Sequence, residues 1–135
     1  MMNRYNKYLI IIIMFLMFVF TGCSESKAEG LKILIDGKDF TSSAQPIIRD
    51  GRTLVPIRFI TEKLGGIVEW DGLNRSVFAK KGDKSIGLVI DSQIVEYDSL
   101  DCAVIDTKPI IYNDFTYVPL RVVGEALNVG ITYDE

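Results

Sequence analysis

The chain has 135 residues, 48% hydrophobic and 24% charged, with two Cys, no His and a formal net charge of −3. That length allows about one domain, or two small ones, and the composition is that of a foldable globular protein. Without histidine no Ser-His-Asp or Cys-His nucleophile can be assembled, nor a His-based zinc, copper or non-haem iron site. No cofactor and no metal are expected.

Residues 9–20, LIIIIMFLMFVF, form an unbroken apolar run preceded by Arg4 and Lys7. The run is shorter than the roughly 20 residues a membrane-crossing helix needs. A positive start, a short apolar stretch and small residues after it read as an export signal. Phe20-Thr21-Gly22-Cys23 follows and resembles the lipobox of bacterial lipoproteins, with Phe at the position usually held by Leu. In that family the Cys thiol is joined to diacylglycerol and becomes the new N-terminus, so residues 1–22 are expected to be a signal peptide and Cys23 the lipidation site. The alternatives are an ordinary signal peptide with an incidental Cys, or an uncleaved anchor. Removing residues 1–22 takes away Arg4 and Lys7 but no acid, leaving 13 basic against 18 acidic residues and a balance of −5. A weakly acidic surface argues against a nucleic-acid partner, whose phosphates need a basic patch. It also leaves membrane affinity to the acyl chains, each buried CH₂ contributing about 0.8 kcal/mol.

Residues 23–30, polar and small, read as a tether. From Leu31 the chain contains an internal repeat: residues 46–71 (PIIRDGRTLVPIRFITEKLGGIVEWD) lie over residues 109–134 (PIIYNDFTYVPLRVVGEALNVGITYD) at a constant offset of 63, with ten of 26 positions identical. The strands upstream, residues 32–36 and 86–91, correspond only if the second copy carries about eight extra residues near Asp98 and Asp101.

In chain order, residues 32–36 end in Asp36-Gly37, a hairpin turn signal, and residues 46–49 and 52–55 flank a second such turn at Asp50-Gly51. Asn113-Asp114 takes that turn in the second copy. Pro56 and Pro119 sit where a strand gives way to a helix, a place that suits a residue without an N–H. Ile57, Ile60 and Leu64, and likewise Leu120, Val123 and Leu127, make one apolar stripe per helix. Gly65 and Asn128 suit a left-handed helix end. Strands are expected next at 67–70 and 129–133, and between the copies at 76–80, 85–90 and 93–97. Their short connections favour antiparallel neighbours. The expected class is α+β: a meandering antiparallel sheet with two short helices on one face, built from an internal duplication.

Several side chains have a structural and a functional reading. Arg58 and Arg121 occupy the first turn of each helix, where a cation meets the unfavourable end of the dipole, and Glu62 and Glu125 lie four residues on. Each Arg is expected to fold over its Glu and a neighbouring strand carbonyl, clamping helix to sheet. The other reading is an anion site. Trp70 and its counterpart Tyr133 are expected to close the core, or else to stack on carbohydrate. Cys102 reads as a small buried hydrophobe. Asp98, Asp101 and Asp106 match no EF-hand spacing and read as a solvated face.

The pattern Gly51-Arg-Thr-Leu-Val-Pro-Ile-Arg-Phe-Ile-Thr-Glu-Lys-Leu-Gly65, followed by Val68-Glu-Trp-Asp71 and repeated from Asp114, resembles the copper amine oxidase N-terminal-like domain, also called the stalk domain, over residues 31–135. In amine oxidases this domain is an appended stalk remote from the copper and quinone site. The resemblance implies a non-catalytic module of exported Gram-positive proteins. Together these readings predict a lipid-anchored cell-envelope module on the outer face of the cytoplasmic membrane, with a structural or binding role. The alternative is a small ligand- or polysaccharide-binding lipoprotein. The expected partners are the membrane, through acylated Cys23, and a cell-wall polymer or envelope protein added as a strand near Val129 and Tyr133 (residues 129–133), where the second copy lacks the hairpin that follows the first. That edge is otherwise expected to be covered by residues 93–97 or by the N-terminal strand.

Overall fold

The computed structural model describes residues 30–132. Cys23, the signal and tether before Gly30, and Tyr133 therefore lie outside the described residues. Eleven strands form in chain order: β1 (Leu34–Ile35), β2 (Lys38–Asp39), β3 (Ile47–Arg49), β4 (Arg52–Pro56), β5 (Ile67–Asp71), β6 (Ser76–Lys81), β7 (Lys84–Val89), β8 (Ile94–Tyr97), β9 (Asp101–Val104), β10 (Ile110–Tyr112) and β11 (Phe115–Pro119). Three helices join them: a single turn α1 (Thr41–Ala44), then α2 (Ile57–Lys63) and α3 (Leu120–Ala126). None of these is long and apolar enough to cross a membrane.

The fold is α+β with antiparallel pairing throughout, but the strands divide into three sheets. The expected meander is the sheet β5-β6-β7-β8-β9, while β10-β11-β4-β3 form a second sheet and β1-β2 stand as a separate hairpin. The second sheet records the duplication. Val55 pairs with Val118, its own counterpart, so the two copies meet about a local two-fold between β4 and β11. The flanking hairpins keep the same register, Ile47 opposite Leu54 and Ile110 opposite Tyr117. Both valines are fully buried.

Each helix starts directly after its Pro. Pro56 and Pro119 are extended caps with no side-chain hydrogen bond, as expected of a residue that needs no N–H partner there. The ends match as well. Gly65 and Asn128 take positive φ, +84° and +54°. The amides that follow return to the helix at equal distances, Gly66 N to Thr61 O and Val129 N to Gly124 O, both 2.8 Å. Helices of seven residues are marginal alone. They are held by burial of Ile57, Ile60, Val123 and Leu127 in one core with Ala79, Ile86, Leu88 and Val95 of the five-stranded sheet. Around the end of α2, Phe40 and Phe59 meet edge to face and Lys63 Nζ lies 5.0 Å from the Phe40 ring centre.

Four expectations need correction. Residues 129–132 are not a strand: the chain leaves α3 as it leaves α2, but among the described residues no neighbouring strand supplies the ladder that makes residues 67–71 a strand. The eight-residue insertion is absent. The counterpart of the β1–β2 hairpin is the β8–β9 hairpin, whose turn begins with Asp98 at the same φ of 50° as Asp36; it is longer by one residue, since Asp98, Ser99 and Leu100 separate the paired Tyr97 and Asp101 whereas Asp36 and Gly37 alone separate Ile35 and Lys38. Trp70 does not close the core. It shares a face with Val68, opposite buried Val77, but β5 is an edge strand of its sheet and Trp70 stays 42% exposed. Cys102 is exposed, because it alternates with Ala103 on the outer strand β9 and points the same way as Val104, which is 77% exposed.

Candidate functional site

Arg58 is placed by the sharp turn from β4 through Pro56 into α2. Its Nη1 lies 3.5 Å from Glu62 Oε1 and donates to the Val68 carbonyl at 3.1 Å. That carbonyl belongs to β5, so a helix cation ties down the outer strand of the five-stranded sheet. Both partners of the ion pair are more than half exposed, and such a pair contributes at most about 1 kcal/mol. The hydrogen bond to the strand is the more directional contact.

Arg121 and Glu125 line a shallow cleft of about 190 Å³ with Arg52, Thr53 and Asp106. Arg52 Nε donates to Asp106 Oδ2 at 2.8 Å and its Nη2 bonds the same oxygen. This guanidinium beside Asp106 is the main cause that holds its carboxyl below the usual range. The Arg52–Asp106 pair joins the start of β4 to the loop after β9. Sequence spacing could not reveal it, because 54 residues separate the partners. Two cations and two acids meet in this cleft, so it carries no net charge to draw an anion.

Asp98 is not merely solvated. Its Oδ1 accepts from the Ser85 amide at 2.8 Å and its Oδ2 from Lys84 Nζ at 3.2 Å. These bonds, the Ser85 amide first, hold its carboxyl below the usual carboxylate range. They pin the start of β7 to the β8–β9 turn. Asp101 is the first residue of β9, so the three acids are dispersed over separate contacts. Among the described residues no group of three Asp, Glu or Cys side chains is placed to hold a metal ion.

A groove of about 370 Å³ lies between the N-terminal segment, residues 30–36, and the segment after α3, residues 129–132. Its floor is Ile60 of α2 and Leu64 at that helix's end, with Leu120 and Gly124 of α3. A Cβ on Gly124 would collide with the Ile131 side chain, so glycine lets the segment after α3 lie against the helix. The floor is apolar and carries no titratable group. It can hold apolar side chains, and the two charged residues of the lining, Lys32 and Asp36, belong to the N-terminal wall. The Arg and Glu pairs lie outside this lining. Reading the sequence for charged and aromatic groups missed this groove, whose lining is drawn from segments about 90 residues apart in the chain.

Comparison with curated proteins gave no match. Residues 34–135 match the family described as Copper amine oxidase N-terminal domain, which is the non-catalytic part of those enzymes. With that match covering most of its length, and with the repeat, the Val-Pro-[Ile/Leu]-Arg turns and the shared helix ends, the chain belongs to the copper amine oxidase N-terminal domain family.

Proposed function

We propose that this protein is a non-catalytic module of the cell envelope, held to the outer face of the cytoplasmic membrane by acylated Cys23, where it serves a structural or binding role. The observation that carries the reading is a match to a non-catalytic domain over residues 34–135, preceded by an apolar run that ends at Phe20-Thr21-Gly22-Cys23. The acidic balance after Cys23 supports acylation as the source of membrane affinity, because an acidic surface is repelled by anionic lipid.

Growth with an alkyne-bearing fatty acid tests the anchor. Wild-type chain is expected to carry the label and to enter the detergent phase on partitioning, and Cys23→Ser to lose both. Unlabelled, water-soluble wild type overturns the anchoring, and turnover of any substrate by the pure protein overturns the non-catalytic assignment.

A second reading, contact with cell-wall polysaccharide, is favoured by the exposed Trp70 ring. Aromatic faces suit sugar rings when one side is apolar and accessible. Co-sedimentation with purified peptidoglycan, lost in Trp70→Ala, supports it, and sedimentation that the substitution leaves unchanged removes Trp70 from the contact.

A further inference from the structure

In the first copy, the hairpin β6–β7 bridges the strand after α2 to the hairpin β8–β9, completing the order β5-β6-β7-β8-β9. The local two-fold between β4 and β11 maps this arrangement onto the other half. There the segment after α3 stands for β5 and the hairpin β1–β2 stands for β8–β9. Between them, where β6 and β7 would lie, is the 370 Å³ groove.

The helix residues agree. Leu64 and Leu120 on the groove floor are half-buried. Their repeat counterparts Leu127 and Ile57, which join the core with the five-stranded sheet, are 2% and 1% exposed. Among the described residues β1 has a strand neighbour on one side only, and its Leu34 is 53% exposed. An unpaired strand edge next to an apolar floor is a template for added strands.

We propose that this groove accepts a two-stranded β-hairpin from another envelope protein, with alternate apolar side chains turned towards the two helices as Val77, Ala79, Ile86 and Leu88 are in β6 and β7. The inference rests on the envelope-binding role proposed above and names its site and occupant. The groove rim at Gly30 is seven residues from Cys23, a span of about 25 Å at most, so an acylated chain presents the groove close to the membrane. The first strand of the guest sits further out than β6 does. Lys80 O would be 2.5 Å from a Cβ on Gly66, and the corresponding residue is Val129.

The test uses the full chain in detergent micelles and, as the probe, a synthetic peptide of residues 72–91, which contains the β6–β7 hairpin. Amide exchange at Leu34 and at residues 130–132 is expected to slow by about tenfold or more with the peptide. The same peptide carrying Ile86→Asp and Leu88→Asp is expected to do nothing. Because an isolated hairpin is marginally stable in water, a second protein carries residues 72–90 again after Asp134; it is expected to gain the same protection and a higher melting temperature. The proposal is overturned if neither arrangement protects these amides or if the substituted peptide works equally. It is overturned in favour of a second copy if free chain is already protected there in proportion to its concentration, and in favour of lipid if micelles alone protect wild type but not Cys23→Ser. Loss of acylation with peptide protection intact would fail the anchor and leave the groove standing.

Discussion

The two repeats begin alike and end differently. Their hairpins share one register, their helices span corresponding seven-residue stretches, and their first amides after the helix close the same 2.8 Å bond. Beyond that point the first copy runs into β5 and a five-stranded sheet, while the segment after the second makes no strand among the described residues. Local sequence is not the deciding cause. Residues 67–71 become a strand because β6 supplies a ladder, and among the described residues no strand does the same for residues 129–132. Identical launch geometry gives different secondary structure when the neighbour differs.

This contrast can be broken by matched substitutions. The largest expected effect is at the helix stripe. Leu127→Ala, at a site 2% exposed, is expected to cost about 2–5 kcal/mol in urea unfolding, the range for a closed core cavity. Its counterpart Leu64→Ala on the open groove is expected to cost about 1–2 kcal/mol, since a half-buried side chain loses less transfer energy. Equal costs would mean that the groove is filled in the free protein.

The residue after the left-handed helix end should separate the copies again. A Cβ on Gly66 would lie 2.7 Å from Thr61 Cγ2 as well as against the Lys80 carbonyl. Gly66→Ala is therefore expected to destabilise by about 1–3 kcal/mol through overpacking, whereas Val129→Ala is expected to change stability by less than about 1 kcal/mol. Thermal melts of the two variants make the comparison.

A smaller effect concerns acid. Asp39, Asp71, Asp98 and Asp106 are all held below the ordinary carboxylate range by hydrogen bonds or a neighbouring Arg. A depressed folded-state pKa adds stability that is fully present above the unfolded value, near pH 4, and is lost as pH falls through the folded one. The melting temperature is expected to be flat on the neutral side of that value and to drop below it, with Asp98→Asn showing the shallower acid limb. The smallest effect on stability is at Cys102. An aromatic disulfide reagent is expected to modify this exposed thiol fully without denaturant and to leave the melting curve nearly unchanged. A thiol that reacts only on unfolding would contradict its exposure.

Much of this architecture was legible in the residues. The two Asp-Gly turns, the Pro-initiated helices and the stripes Ile57-Ile60-Leu64 and Leu120-Val123-Leu127 each follow from local chemistry, and each lies where expected. Misreadings arose where exposure depends on which strand lies outermost. Trp70 and Cys102 have core-like identities, yet both sit on edge strands, and nothing in their neighbours along the chain reveals an edge. The repeat's upstream boundary was misplaced for a related reason. Strand patterns in 86–91 and 94–97 are alike in apolar content, and only the pairing of β8 with β9 shows which of them answers to β1. Of the charged groups, Arg58 and Glu62 are neighbours through helix spacing and could be paired by inspection. Arg52 and Asp106 are brought together by the tertiary fold alone.

The exchange of strands between the halves has a consequence for how the molecule behaves as a material. The five-stranded sheet is begun by the first copy and finished by β8 and β9 of the second, while β4 and β11 zip the halves at their shared axis. Neither half therefore owns a closed core. A protease cut at the turn between Lys81 and Lys84 is therefore expected to leave two fragments that stay paired through β6 and β7 and lose their structure once separated.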